Sequence, residues 1–264
     1  AFDAMDGSIQ IGNGQARTAL DDALQLFGQQ QAAPIWQALI TSPAPLPLRR
    51  RRRLLVINVF FAPQSIGGAT RVAQDQVLQL LERAGDRYDV TVLCADHGPW
   101  QNDASADAVR LSVDSHGWHG ARVVRLALPP RPWRQAEDPV VAEFCRRWFA
   151  EEGFDLIHAH CLQMLTAAPL QVAAELGIPY MVTLHDGWWL SPRLFLTTVS
   201  GRRIDPADPL GHYDDPAAQA PADLQADRHR RALLQGVLAG AAARLAVSEA
   251  FADVYRRGGV ADVS

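Results

Sequence analysis

The ten residues TLHDGWWLSP (183–192) set a histidine, a carboxylate, a glycine and two indoles in immediate succession. His185 can donate to a phosphate or hydroxyl oxygen, or relay a proton near neutral pH. Asp186 stands beside it at the end of the same strand. Gly187 permits a sharp bend, and Trp188 and Trp189 could stack on a sugar face or pad the loop against the core. A second group, HAHC (158–161), places His158 and His160 two apart, hence on one side of an extended strand, with Cys161 and then Gln163 following. No third ligand is evident beside them, so no metal is expected. HGWH (His116, His119) falls in a polar stretch expected to be a loop. A third group, IGGATR, sets Gly67 and Gly68 ahead of Thr70. Paired glycines let a ligand approach the backbone, and a helix start offers N–H groups to a phosphate or sugar hydroxyl; a plain tight turn is the alternative.

These groups share a position in the pattern of elements. RLLVINVFF (53–61) is a continuous apolar run of the kind that forms a buried parallel strand. A helix over Thr70–Ala84 follows, with Ala73, Val77, Leu80, Leu81 and Ala84 on one face. YDVTVLCA (88–95) is the second strand, 96–120 a long polar loop, and ARVVRLAL (121–128) the third strand. A helix near Val140–Glu152, the strand FDLIHAH, a helix over Gln163–Leu176 and the strand IPYMVTLHD continue the alternation. Residues 190–222 read as irregular, with a hairpin around Ser200-Gly201. A helix near Leu224–Ala239 leads to ARLAVSEAF, a sixth strand and the start of a last helix. Such alternation predicts an α/β, doubly wound (Rossmann-like), mostly parallel sheet with helices on both faces. Ligands of such sheets bind beyond the carboxyl ends of the strands, which is where all three groups fall.

Residues 1–53 differ. Thr18 is placed to cap a short helix, ALDDALQLFG, a second is expected near Ile35–Ile40, and SPAPLPL reads as an extended linker. Arg49 to Arg53 close it, either as a solvated charge run or as a contact for anionic lipid. A domain boundary is expected at about residue 53, leaving 54–264 as the main domain.

Composition narrows the function. The 264-residue chain has 48% hydrophobic residues and a net charge of −4, which suits a globular core and gives no reason to expect nucleic acid. Its 25 basic residues are all arginine, a bias that fits a GC-rich bacterial genome. Three unpaired cysteines and no C-x-x-C suggest reduced thiols and a cytoplasmic setting. No apolar run approaches the roughly 20 residues of a membrane span. There is no G-x-S-x-G elbow, no Walker A loop and no G-x-G-x-x-G. Asp96, just past VLCA, keeps a dinucleotide-dependent oxidoreductase open as a minor alternative.

GGATRV, FDLIHAHCLQ, PYMVTLHDGWWLSP and LAVSEAFADVYRRGGV occur in an order and spacing that resemble the N-terminal half of a GT-B glycosyltransferase of family 4, over about 54–264. The resemblance implies a retaining enzyme that moves a sugar from a nucleotide-sugar donor to a glycan or lipid-linked acceptor, with the donor a substrate and no cofactor or metal required. In that family a C-terminal domain holds most of the donor, so this domain's partner would be its own donor-binding domain. Gly67, Gly68 and Thr70 would then line the cleft near the donor diphosphate. His185 and Asp186 would be catalytic, and His160, Gln163, Trp188 and Trp189 would face the acceptor. The family's paired glutamates belong to the other half; Glu143 and Glu151 share the E-x7-E spacing but precede the fourth strand and read as a solvated helix face. The resemblance also implies a chain inactive on its own, cytoplasmic or peripheral to the inner face of the plasma membrane. A non-catalytic glycan- or protein-binding module is the alternative.

Overall fold

The computed structural model describes residues 50–96, 111–128, 134–215 and 224–264, and the antiparallel pairing of Ala4–Met5 with Ser8–Ile9. The chain divides into two units, Ala1–Arg49 and Arg50–Val263. The helices expected near 19–28 and 35–40 and the linker at 42–48 lie outside the described residues.

In the second unit the apolar runs become strands: β1 (Arg52–Ile57), β2 (Tyr88–Asp96), β4 (Ala121–Ala127), β5 (Leu156–Ala159), β6 (Tyr180–Leu184) and β7 (Ala243–Ala246). A further strand, β3 (Ser112–Trp118), occupies part of the expected loop. The sheet order is β3-β4-β2-β1-β5-β6-β7, with β3 antiparallel to β4 and every other pairing parallel. Sequence gave no sign of β3 because it is an edge strand whose side chains are mostly exposed, so it lacks an apolar run. His116 and His119 accordingly lie in and just past a strand, and the His116 Nε2 is 3.2 Å from the Ala62 carbonyl.

The helices are α1 (Gly67–Ala84), α2 (Pro139–Glu152), α3 (Ala168–Glu175), α4 (Leu224–Gly240) and α5 (Glu249–Arg257). Helix α1 starts three residues before the expected Thr70. Helix α3 is much shorter than the expected 163–176, because Thr166 adopts φ +61° and residues 163–167 pass through the core as a buried turn. The expected hairpin is present: Thr197 bridges Arg203, and Gly201 turns the chain at φ +85°. Strand order grows outward from β1 in both directions, so right-handed crossovers place helices on both faces. The reversal falls between β1 and β5, which makes the carboxyl ends of those two strands the switch point where ligands bind.

Leu55, Ile57, Leu93, Leu126, Phe149, Ile157 and Tyr255 are among the fully buried side chains of the core. Cys94, Cys145 and Cys161 are free and buried with them. Burial pushes the Cys94 thiol up to about 12, and raises Cys145 and Cys161 as well. Because the thiolate is the nucleophile, alkylation of the native protein by iodoacetamide at pH 8 is expected to run at least ~100-fold slower than in denaturant. Labelling of all three at the denatured rate would contradict this burial. Among the described residues no helix is long and apolar enough to cross a membrane.

Candidate functional site

The site begins where β1 ends. Asn58, fully buried, is the lone amide in the apolar run 53–61. Its Nδ2 donates to the Phe60 carbonyl at 2.6 Å and to Thr70 Oγ1 at 3.2 Å, and its Oδ1 accepts from the Cys161 N–H at 3.0 Å. One side chain thus joins β1, the first turn of α1 and the loop beyond β5. Thr70 is itself buried and donates to the Ile66 carbonyl at 2.6 Å. It therefore fastens the helix start from below, while Gly67 and Gly68 stay at the surface. Gly67 has φ +81°, and a Cβ at either glycine would meet nothing within 4 Å among the described residues. Ile66 supplies no capping side chain, so the N–H groups of this helix start are left to other acceptors.

Three imidazoles succeed one another at the switch point. His158 on β5 shares a 2.8 Å hydrogen bond between its Nε2 and Thr183 Oγ1 on β6. The His160 ring lies 4.3 Å from that of His158, centroid to centroid, and its Nδ1 is 2.9 Å from His185 Nε2. His158 and His160 are 1% exposed, and His185 is half-buried. Burial disfavours the imidazolium, so the His158 pKa falls to about 3 and that of His185 to about 4. His160 is lowered too, by burial first and then by its two neighbours. All three are neutral at pH 7.

Asp186 is turned inward. Its Oδ2 accepts from Gln163 Nε2 at 2.6 Å and its Oδ1 from the Trp188 N–H at 2.9 Å, closing an Asx turn. The Tyr255 hydroxyl donates to its carbonyl. Burial raises the Asp186 pKa, opposed by the bonds from the Trp188 N–H, Gln163 and Cys161 and by the Arg230 charge. Gly187 is needed less for a bend than for close approach, since a Cβ there would fall 2.8 Å from Leu196 Cγ. Trp188 and Trp189 are 1% and 3% exposed. The Arg230 guanidinium lies 4.9 Å above the Trp188 ring and donates to the Trp188 carbonyl. Padding is therefore the role that this geometry gives the two indoles, in place of an open stacking face.

The structure thus brings His160, Gln163, His185 and Asp186 together as two bonded pairs, His160–His185 and Gln163–Asp186, sets Gly67 and Gly68 on the neighbouring loop, and draws Thr70, Trp188 and Trp189 inward. Sequence reasoning missed Asn58, Arg230 and Tyr255. Only Asn58 carried a local signal, as a polar residue inside a buried run. Among the described residues no three His, Cys, Asp or Glu side chains converge as metal ligands. Glu143 pairs with Arg146 on the exposed face of α2, as expected of a solvated helix face. A cavity of about 580 Å³ opens at the amino ends of β1, β2 and β4, beside Arg51, Arg53, Arg122 and Glu152; none of the groups above lines it, and the chemistry stays with the switch point.

A doubly wound, mostly parallel sheet with helices on both faces defines a Rossmann-like domain. The family model described as "Glycosyl transferase 4-like domain" matches residues 67–263, and the chain belongs to that family. Among solved structures it is similar to an alpha,alpha-trehalose 6-phosphate synthase from Burkholderia multivorans, at 10% identity and a TM-score of 0.41, covering 79% of this chain and 42% of that one. It also aligns with the C-terminal domain of a hydrogenase from Pyrococcus furiosus, at 17% identity and a TM-score of 0.27, covering 52% of this chain and 95% of that one. The chain thus spans less than half the length of the synthase. No curated protein matches it.

Proposed function

We propose that this domain is the acceptor-side wall of a cleft in a retaining glycosyltransferase, which transfers a sugar from a nucleotide-sugar to a glycan or lipid-linked acceptor. Family membership supports the class of reaction. The observation that carries the reading at residue level is His185, half-buried and neutral just past the end of β6, bonded through its Nε2 to the buried His160. In this reading His185 contacts the transferred sugar, and the exposed N–H groups at Gly67 and Gly68 meet the donor diphosphate. His160, Gln163 and Asp186 support it from beneath, and the loop following Trp189 shapes the acceptor side. Most of the donor is gripped by a second domain, which makes the isolated domain inactive. Exposed Ile66 and Val247, 43% and 53% accessible beyond β1 and β7, leave apolar surface on the edge that such a domain would face. Contact of the assembled enzyme with the inner membrane face is part of the same proposal.

The reading is tested by substituting His185 in a chain that joins this domain to its donor-binding domain. Loss of one preorganised donor costs roughly 10²–10³ in kcat, so His185→Ala is expected to slow nucleotide release by about that factor. A second reading, a non-catalytic glycan- or protein-binding module, draws on the extent to which Asp186, Gln163 and Trp188 spend their polar groups on one another. It predicts no donor consumption by either form, whereas unchanged kcat in the variant would remove His185 from the chemistry.

A further inference from the structure

The contact between His160 and His185 determines more than proximity. The two rings lie 5.2 Å apart with planes inclined by 34°, which suits an in-plane bond from Nδ1 to Nε2. His160 is fixed before His185 reaches it: its N–H donates to the Ile57 carbonyl at 2.8 Å, and the His158 ring packs against its face. Its other ring nitrogen, Nε2, is sealed from solvent and has no hydrogen-bond partner among the described residues.

We propose that His160 is a positioning residue that holds His185 in the tautomer carrying its proton on Nδ1, so that His185 offers the ligand a hydrogen-bond donor and not a base. A neutral imidazole has one N–H and one bare nitrogen, so the shared bond admits two arrangements. If His185 donated, the remaining proton of His160 would sit on the sealed Nε2, a buried N–H with nothing to receive it. If His160 donates from Nδ1, the sealed Nε2 is a bare acceptor instead. Orphaned buried N–H groups are rarer in folded proteins than under-satisfied acceptors, which selects the second arrangement. His185 then accepts at Nε2 and keeps its proton on Nδ1, the nitrogen outside the pair. Turning His185 into a base at Nδ1 requires the whole bond to reverse and the orphaned N–H to appear.

The ligand group recognised is accordingly an oxygen with a free lone pair, such as a sugar hydroxyl or a phosphate oxygen. This deepens the proposed function and rests on it only in taking His185 as the residue that faces the ligand. It also moves His160 from the acceptor-facing role implied by family resemblance to a place behind the contacting ring.

The test is a two-bond ¹H–¹⁵N correlation spectrum of the protein labelled at its eight histidines, recorded at pH 7, with His185→Gln identifying the signals of His185. The expected result is the Nδ1–H form in roughly tenfold excess or more, the ratio set by the cost of a buried unpaired donor. His160→Asn, whose amide N–H stands near the position of Nδ1, is expected to keep that form. His160→Phe is expected to release His185 toward the Nε2–H form that free imidazole side chains favour in water. A wild-type His185 protonated on Nε2, or a tautomer that is the same with Phe at 160, overturns the proposal. If the Phe variant does not fold, the wild-type and His160→Asn spectra decide alone. Turnover plays no part in this readout, so a failure here and a failure of glycosyl transfer are separate results.

Discussion

Taken from pH 7 to pH 5, the protein is expected to lose about 4 kcal/mol of folding stability through His158 and His185 alone. Their folded pKa values, about 3 and about 4, lie below the unfolded value of 6.5 because burial disfavours the imidazolium. Between those limits the unfolded chain binds more protons than the native one, so stability rises with pH. The stabilisation is complete above the unfolded pKa and is lost as the pH falls below it toward the folded values. At pH 5 each histidine has forfeited about 2 kcal/mol. His160 shifts in the same direction and adds to the loss. Asp186 runs the other way, since protonation relieves its burial. Urea titrations at pH 7 and pH 5 measure the difference, and His185→Gln is expected to remove about 2 kcal/mol of it, an average of about 1 kcal/mol per pH unit over this interval. Equal stability at both values would mean that the imidazoles are not buried as a neutral set.

The second large effect is expected at Arg230, which no motif singled out. Its Nε donates to the Arg134 carbonyl at 2.8 Å, its guanidinium covers Trp188, and it is 4% exposed. Burial lowers its pKa to about 10, opposed by Asp227, so it stays charged at neutral pH. Asp227 is 2% exposed and accepts from Arg134 at 3.0 Å and from the Tyr213 hydroxyl. Burial pushes the Asp227 carboxyl upward, yet hydrogen bonds from His212, Tyr213 and Arg134 together bring it below its ordinary value. Arg230→Met takes a charged donor from the Arg134 and Trp188 carbonyls and removes a nearby positive charge from Asp227, which stays paired with Arg134, a loss of about 2–4 kcal/mol. Arg256 is the control. It makes two 2.6 Å ion pairs, with Glu249 and Asp253, but on the surface, where such pairs contribute little. A drop in urea midpoint at unchanged slope for Arg230→Met, with none for Arg256→Met, is the expected pattern. The reverse would show that the Trp188 loop rests on something other than this network. Because Trp188 lies three residues beyond His185, loosening it also disturbs the site.

The central parallel strands were legible in the sequence because both faces of β1, β2, β5 and β6 are largely buried, which leaves apolar runs such as LLVI and VTVLCA. The edge strand β3 was not, since SVDSHGW is solvated and looks like a loop until its pairing with β4 is known. The buried turn at 163–167 imitated a helix because its side chains also face the core. Within the site, strand-end position sufficed to single out His160, Gln163, His185 and Asp186. Their hydrogen bonds could not be read, because they join residues 23 to 25 apart in sequence. Trp188 and Trp189 show the same limit. Two adjacent indoles in a loop are compatible with a ligand face or with the core, and the buried guanidinium that decides between them comes from α4.

The most direct measurement of the central claim follows nucleotide release and the anomeric configuration of the product from a panel of nucleotide-sugars with glycan and lipid-linked acceptors. It uses this chain alone and joined to its donor-binding domain. The account predicts turnover with retained configuration by the joined chain, and none by the isolated one. Robust turnover by the isolated chain, inversion at the anomeric carbon, or a joined chain that binds and consumes no donor would contradict it.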